Sequence, residues 1–369
     1  MTMPDLRPYW QNWGSANNKK IFFEGQFQNW KSVFSGIYEQ GNKKMKRLLI
    51  FFGIAILIFS FGCKGSDKEG NFPPNEGFVE VEDDIEIFFR TIGDGPELVI
   101  VPAGMYMDIE FKKLANEDRT LVFYDMRGRG RSSTVDDPEW LGMNFDILDL
   151  ETLRQYLGGV RVSLIGWSYL GAMVALYALK YPDKVKRVVQ VGPLPPTQEI
   201  FAKATSTPMD SESQALVKKM KDEGLDKSNP ERFCYEYWNI YMKRIFYDPE
   251  KLSRFQSYKC KCKNELPENV NFHLSSIIKS LGDWDWREDL KNLEVPVLTI
   301  QGEQDPSCPL EGARTWAAWL RNARLLVIPE AGHMPFVEQP DAFYPSVEAF
   351  LKGEWPERTE VLGVPVYTK

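Results

Sequence analysis

Residues 166–171 read Gly-Trp-Ser-Tyr-Leu-Gly and lie between an apolar run and an alanine-rich run. Residues 161–165 (RVSLI) have the length and composition of a short buried strand. Residues 172–180 (AMVALYALK) have helical periodicity, and Tyr181-Pro182 ends it. A serine on so tight a strand-to-helix turn is lifted above the sheet edge, and the helix N-terminus favours negative charge there. The segment therefore asks for a layered α/β fold with Ser168 at the rim of the sheet.

Residues that complete a nucleophilic set follow in order. The chain has two histidines, His273 and His333. His333 lies in Ala331-Gly332-His333-Met334-Pro335, just after the strand-like residues 325–329 (LLVIP). Asp305 lies in Gln301-Gly302-Glu303-Gln304-Asp305-Pro306, directly after residues 297–300 (VLTI). Ser168, Asp305 and His333 each fall at the C-terminal end of a predicted strand or in the loop after it. This order resembles the α/β-hydrolase family of serine hydrolases, over residues 78–351. The resemblance implies an α/β fold with a mostly parallel central sheet, helices on both faces and an inserted helical lid.

The rest of the pattern agrees. Residues 78–81 and 85–91 read as strands around a turn, and residues 98–101 (LVIV) and 121–124 (LVFY) as buried strands. A helical stretch, residues 108–116, lies between the last two. Residues 125–132 (DMRGRGRS) resemble the Asp-x-Arg-Gly-x-Gly-x-Ser loop of α/β-hydrolases, close to the version in proline iminopeptidases. A phosphate-cradling loop is the weaker reading, because no amphipathic helix opens directly from it. Residues 144–157 read as a helix and 185–191 as a strand. Residues 197–289 contain no buried-strand run and read as the lid, between core segments 78–196 and 290–353; residues 354–369 form a tail. The lid carries Phe233, Tyr235, Tyr237, Trp238, Tyr241, Phe246 and Tyr247, mostly as its own core.

A serine hydroxyl is a poor nucleophile until a base takes its proton. An imidazole does so near neutral pH, and a carboxylate holds its tautomer. Ser168 is thus the expected nucleophile, His333 the base and then acid, and Asp305 its orienter. The rivals are His273 as base, Glu303 in place of Asp305, and an Asp305 that merely caps the following helix. An oxyanion needs two backbone N–H groups. The family pattern assigns one to Tyr169 and the other to the loop Pro102-Ala103-Gly104-Met105. Proline has no N–H to give, so Gly104 is expected, with Met105 second. That loop departs from the His-Gly start common in relatives, and Leu170 stands where the elbow usually has glycine. Met105, Trp167, Trp284 and Trp286 are the expected pocket residues.

No metal or organic cofactor is implied. Cys260-Lys261-Cys262 is too closely spaced for a usual zinc pair and has no second pair. A net charge of −7 with no basic stripe argues against a nucleic-acid partner. A small-molecule or peptide substrate is expected instead. At 369 residues and 43% hydrophobic, the chain suits one large domain with an insertion.

The N-terminus reads separately. Met45-Lys46-Arg47, the apolar residues 48–62 and then Cys63 look like a bacterial lipoprotein signal, with residues 64–77 as a tether. Cys63 would carry the lipid and hold the protein on the cell envelope, outside the cytoplasm. The alternatives are an uncleaved signal anchor, or a buried helix. Residues 1–44 precede a complete signal, so translation starting at Met45 is favoured over a real extension. Outside the cytoplasm a disulfide from Cys234 to Cys260 or Cys262 is allowed; with Cys308, four cysteines permit three connectivities.

The expectation is a serine hydrolase that cleaves a small or medium ester or amide through an acyl-enzyme. One alternative is an aminopeptidase resembling proline iminopeptidases, with Glu231 and Glu236 available for a substrate amine. The other is an inactive binding lipoprotein of the same fold.

Overall fold

The computed structural model describes residues 75–363 apart from 83, 205–208 and 256–258, with no side-chain description for 104–106 and 259. The expectations for residues 1–63, Cys63 included, and for the tether as far as residue 74 lie outside the described residues.

Eight strands form one sheet: β1 (Glu76–Glu82), β2 (Ile85–Ile92), β3 (Glu97–Pro102), β4 (Arg119–Tyr124), β5 (Val162–Trp167), β6 (Val185–Val191), β7 (Val297–Gly302) and β8 (Ala323–Ile328). Their order is β1-β2-β4-β3-β5-β6-β7-β8. The pairs β1–β2 and β2–β4 are antiparallel, and every other neighbouring pair is parallel. All six residues of β4 and of β7 are buried. Strands covered on both faces need such continuous runs, whereas a half-exposed strand would alternate.

Helices α1 (Gly104–Phe111), α2 (Met143–Tyr156) and α3 (Tyr169–Lys180) connect the first strands. Between β6 and β7 the described residues hold no strand, only helices and short 3-10 turns, the longest being α4 (Ser211–Asp222), α5 (Pro230–Met242) and α6 (Pro267–Leu281). Then α7 (Leu310–Trp319) packs on β7 and β8, and α8 (Pro340–Leu351) closes the core. The tail does not simply hang free. Glu360 exchanges two backbone hydrogen bonds with Leu325 of β8, at 2.7 and 2.9 Å, and so covers part of that edge strand.

Most expected boundaries shift by one to three residues, and two of the shifts bear on the site. Strand β5 runs on to Trp167, so Ser168 follows it at once. Helix α1 starts at Gly104 rather than at residue 108, because Ala103 turns the chain through the left-handed region (φ 65°) straight out of β3. Among the cysteines, Cys234 of α5 is disulfide-bonded to Cys260, while Cys262 and Cys308 are free.

Candidate active site

Ser168 occupies a conformation that side chains avoid, φ 58° and ψ −128°. Such a residue costs about 1–3 kcal/mol unless its surroundings over-determine it. Here they do. Ser168 N–H donates to Val191 O at 2.9 Å, and its carbonyl accepts from Gly171 N at 2.9 Å and Leu194 N at 3.0 Å. Gly166 permits the tight crossing, since a Cβ there would fall 2.2 Å from Leu170 O. A side chain at position 170 is therefore accommodated: Leu170 is buried, and the close approach is made by the glycine before the serine.

The expected acid and base meet. His333 Nδ1–H donates to Asp305 Oδ2 at 2.7 Å, and both side chains are buried. Asp305 accepts further bonds from Gln301 Nε2 (2.9 Å) and from the N–H groups of Ser307 (2.8 Å) and Cys308 (3.0 Å). With Nδ1 committed to the carboxylate, Nε2 keeps the lone pair, as a base requires. Gly192 (φ 50°) lies against this pair; a Cβ on it would sit 3.1 Å from both Asp305 Oδ2 and His333 Nδ1. Trp167, beside the serine, donates from its indole to His333 O at 2.8 Å, with ring centres 5.0 Å apart.

No hydrogen bond joins Ser168 Oγ to His333 Nε2 in this resting arrangement; the serine side chain interacts with the buried Cys308 thiol. Burial pushes that thiol's pKa well up, Asp305 adds to the rise, and the Ser168 contact opposes it. Serine–histidine bonds often tighten only when substrate arrives.

His273 does other work. Its Nε2–H donates to Arg127 O at 3.1 Å inside the 125–132 loop, and its Nδ1 is buried without a partner. Burial, helped by Arg129, drives its pKa well below the ordinary imidazole value, against the pull of the Arg127 bond. Glu303 is exposed, bonded to Gln304 Nε2. Neither substitutes for His333 or Asp305 geometrically.

The two expected oxyanion donors open helices. Tyr169 is the first residue of α3 and Gly104 the first of α1, after the neighbouring parallel strands β5 and β3. First-turn N–H groups have no acceptor within their own helix, and these two helices begin at the same end of neighbouring parallel strands. The Tyr169 side chain turns inward, its hydroxyl donating to Asp146 Oδ2 of α2 at 2.7 Å. Burial raises the Asp146 pKa to about 7. The Tyr169 bond and the charges of Arg127 and Arg129 oppose the rise, and Asp149 adds to it.

The 125–132 loop is held as a scaffold. Arg127 makes a bidentate pair with Asp149 (2.7 and 2.6 Å), and Arg131 bonds Asp125. From the segment between β6 and β7, Glu265 clamps Arg129 (2.8 and 3.0 Å) and Gly130 N–H (2.9 Å). Trp284 and Trp286, expected at the substrate, stand in a buried ring ladder that continues to Trp316. The indoles of Trp284 and Trp316 donate to Pro195 O (3.0 Å) and Leu194 O (2.8 Å). They thereby fix the segment that bonds Ser168 O. The Met105 side chain lies outside what is described.

Residues 101–340 match the alpha/beta hydrolase fold family. The chain belongs to that family, and it is an enzyme. This hydrolase is 26% identical to a proline iminopeptidase of Saccharolobus solfataricus over 71% of the chain and 87% of that enzyme. It is 27% identical to a bifunctional esterase/perhydrolase of Acinetobacter calcoaceticus, over 71% and 95%. Its fold is similar to an alpha/beta fold family hydrolase from Bacillus anthracis (TM-score 0.57, 21% identity, 75% of this chain and 98% of that one). It is also similar to a proline iminopeptidase from Mycobacterium smegmatis (TM-score 0.53, 19% identity, 75% and 98%). Among the described residues no helix is long and apolar enough to cross a membrane.

Proposed function

We propose that this hydrolase cleaves a small or medium ester or amide with Ser168 as nucleophile, through an acyl-enzyme. The bond from His333 to Asp305, 2.7 Å in a buried setting, carries the reading. It leaves Nε2 as the proton acceptor, and Ser168 is held in a strained turn directly after Trp167, whose ring packs against His333. Asp305 would steady the imidazolium, and the N–H groups of Tyr169 and Gly104 would donate to the developing oxyanion. Collapse of the tetrahedral species would expel the leaving group with the proton His333 took, and water would then free the acyl group by the same route. A fluorophosphonate probe should label the wild type and leave Ser168→Ala unlabelled. Equal labelling of both would sink the mechanism.

A peptidase version of the same chemistry is the second reading. The resemblance of residues 125–132 and the similarity to the Saccharolobus solfataricus proline iminopeptidase favour it. Glu231 and Glu236 are exposed on α5, and the buried Glu265 is engaged by Arg129, so a free amine has no uncommitted buried carboxylate among these three. A screen of acyl esters beside proline and alanine arylamides separates the two readings.

We also propose that Cys63 is lipidated and tethers the enzyme to the outer side of a bacterial membrane. A Cys234–Cys260 disulfide is at home in an oxidising compartment, which supports this reading. Intact mass of the membrane fraction tests it: an unmodified chain that keeps residues 48–62 would refute lipidation.

A further inference from the structure

Glu338 ends the short helical turn Pro335–Glu338, five residues beyond His333, and is 1% exposed. A carboxylate so placed needs partners, and it finds three backbone N–H groups from two separate stretches of chain. Its Oε1 accepts from Tyr247 N (2.8 Å) and Asp248 N (3.0 Å); its Oε2 accepts from Gly332 N (2.7 Å). Tyr247 and Asp248 belong to the segment inserted between β6 and β7, and Gly332 immediately precedes His333. A direct bond runs beside this bridge, from His333 N–H to Ile245 O at 2.8 Å. The packing is equally close: a Cβ on Gly332 would fall 2.4 Å from Ile245 O and 2.7 Å from Tyr247 N. Lys251 Nζ reaches the Glu338 carbonyl at 3.1 Å, tying the same insertion to the same turn.

Only a carboxylate suits these three donors. It has about four lone-pair sites on two oxygens and no proton of its own, whereas a glutamine amide accepts through one oxygen and would turn N–H groups toward Gly332 N–H. Burial pushes the carboxyl pKa up, and the N–H bonds from Asp248, Gly332 and Tyr247, with the Lys251 charge, pull against that rise.

The position of the base matters because the serine–imidazole bond is not made in the resting structure. The His333 loop has to seat correctly for proton transfer, and the insertion holds that loop by its backbone. We infer that Glu338 is a positioning residue that couples the 245–248 segment to the His333 loop, so that the seating of the insertion governs proton transfer from Ser168. This rests on His333 being the base.

The test uses the full-length enzyme and Glu338→Gln. With active sites titrated, kcat for an activated ester should fall roughly 10- to 100-fold while KM stays within about twofold, the pattern of an interaction used in the transition state. The rate of fluorophosphonate labelling should fall in parallel. A folded variant that labels and turns over like wild type overturns the role of Glu338 alone. A wild type that does not label overturns the triad reading instead. If the variant does not fold, hydrogen exchange on the wild type decides. The amides of Tyr247, Asp248 and Gly332 should change protection together when the probe occupies Ser168, and a change at Gly332 without one at Tyr247 and Asp248 would refute the coupling.

Discussion

Tyr169 donates its hydroxyl to Asp146 at 2.7 Å, and both side chains are out of solvent. The residue proposed to offer an oxyanion N–H is thus anchored through its side chain to α2. The anchor has a pH signature. Burial raises the Asp146 pKa from the usual 3.8 to about 7, so the folded state holds this proton to higher pH than the unfolded state. The stability it contributes is complete below about pH 4 and is lost as pH rises to about 7. A shift of this size corresponds to something on the order of 4 kcal/mol. Asp146→Asn cannot titrate. Its stability relative to wild type should rise between about pH 5 and pH 8, read from urea unfolding at each pH. A constant difference between the two proteins would show that the carboxyl is charged across the range.

The two histidines should separate cleanly. His333→Ala should lower turnover by roughly four to six orders of magnitude, as loss of the serine would, because the set acts as a unit. Asp305→Asn should cost about 10⁴-fold, since the imidazole then sits mainly in the wrong tautomer. His273→Ala removes the bond to Arg127 O and a buried ring, so it should lower thermal stability and leave turnover per folded molecule near wild type. Greater loss of turnover in His273→Ala than in His333→Ala would reverse the assignment.

Local pattern pointed to the residues of this candidate site, and its limits have physical causes. Ser168, Asp305 and His333 were legible because each follows a buried strand, and strand runs announce themselves through continuous apolar residues. Gly192, Gln301, Cys308 and Glu338 were not. Gln301 reaches Asp305 from only four residues away, through a side-chain bond that no pattern marks. Gly192, Cys308 and Glu338 act through close approaches between segments distant in sequence: Gly192 by leaving room for the His333–Asp305 pair, Cys308 by meeting Ser168, Glu338 by bridging Gly332 to Tyr247. No periodicity encodes such an approach. The start of α1 was missed because Pro102-Ala103-Gly104 reads as a loop, while Ala103 in fact makes a single left-handed turn. The partner of Cys234 was unreadable for a similar reason, because it depends on how the inserted segment folds back to place Cys260 5.6 Å away, Cα to Cα.

The disulfide should matter for stability more than for chemistry. It spans 26 residues within the insertion, and closing a loop of that size is worth about 3 kcal/mol in the chain-entropy account. Cys234→Ser with Cys260→Ser should lower the melting temperature by roughly 5–12 °C, with turnover per active site largely kept. Cys262→Ser should leave the melting temperature unchanged. A drop for Cys262→Ser equal to that of the double variant would mean that Cys262 takes part in the bridge.

Trp284 distinguishes a pocket wall from a packing element. Its indole donates to Pro195 O and stacks on Trp286, and Trp286 in turn meets Trp316. Trp316 bonds Leu194 O, and Leu194 N–H bonds Ser168 O. The ladder therefore supports the turn that carries Ser168. Trp284→Phe keeps an aromatic ring but deletes the N–H, leaving the buried Pro195 carbonyl unpaired at a cost of about 1–3 kcal/mol. The expected result is a loss of that size in denaturant unfolding, with turnover reduced by a similar factor for every substrate. Substrate ratios should hold across a series of acyl esters from acetyl to octanoyl. Ratios that change steeply with chain length, in a variant as stable as wild type, would place Trp284 against the acyl chain instead.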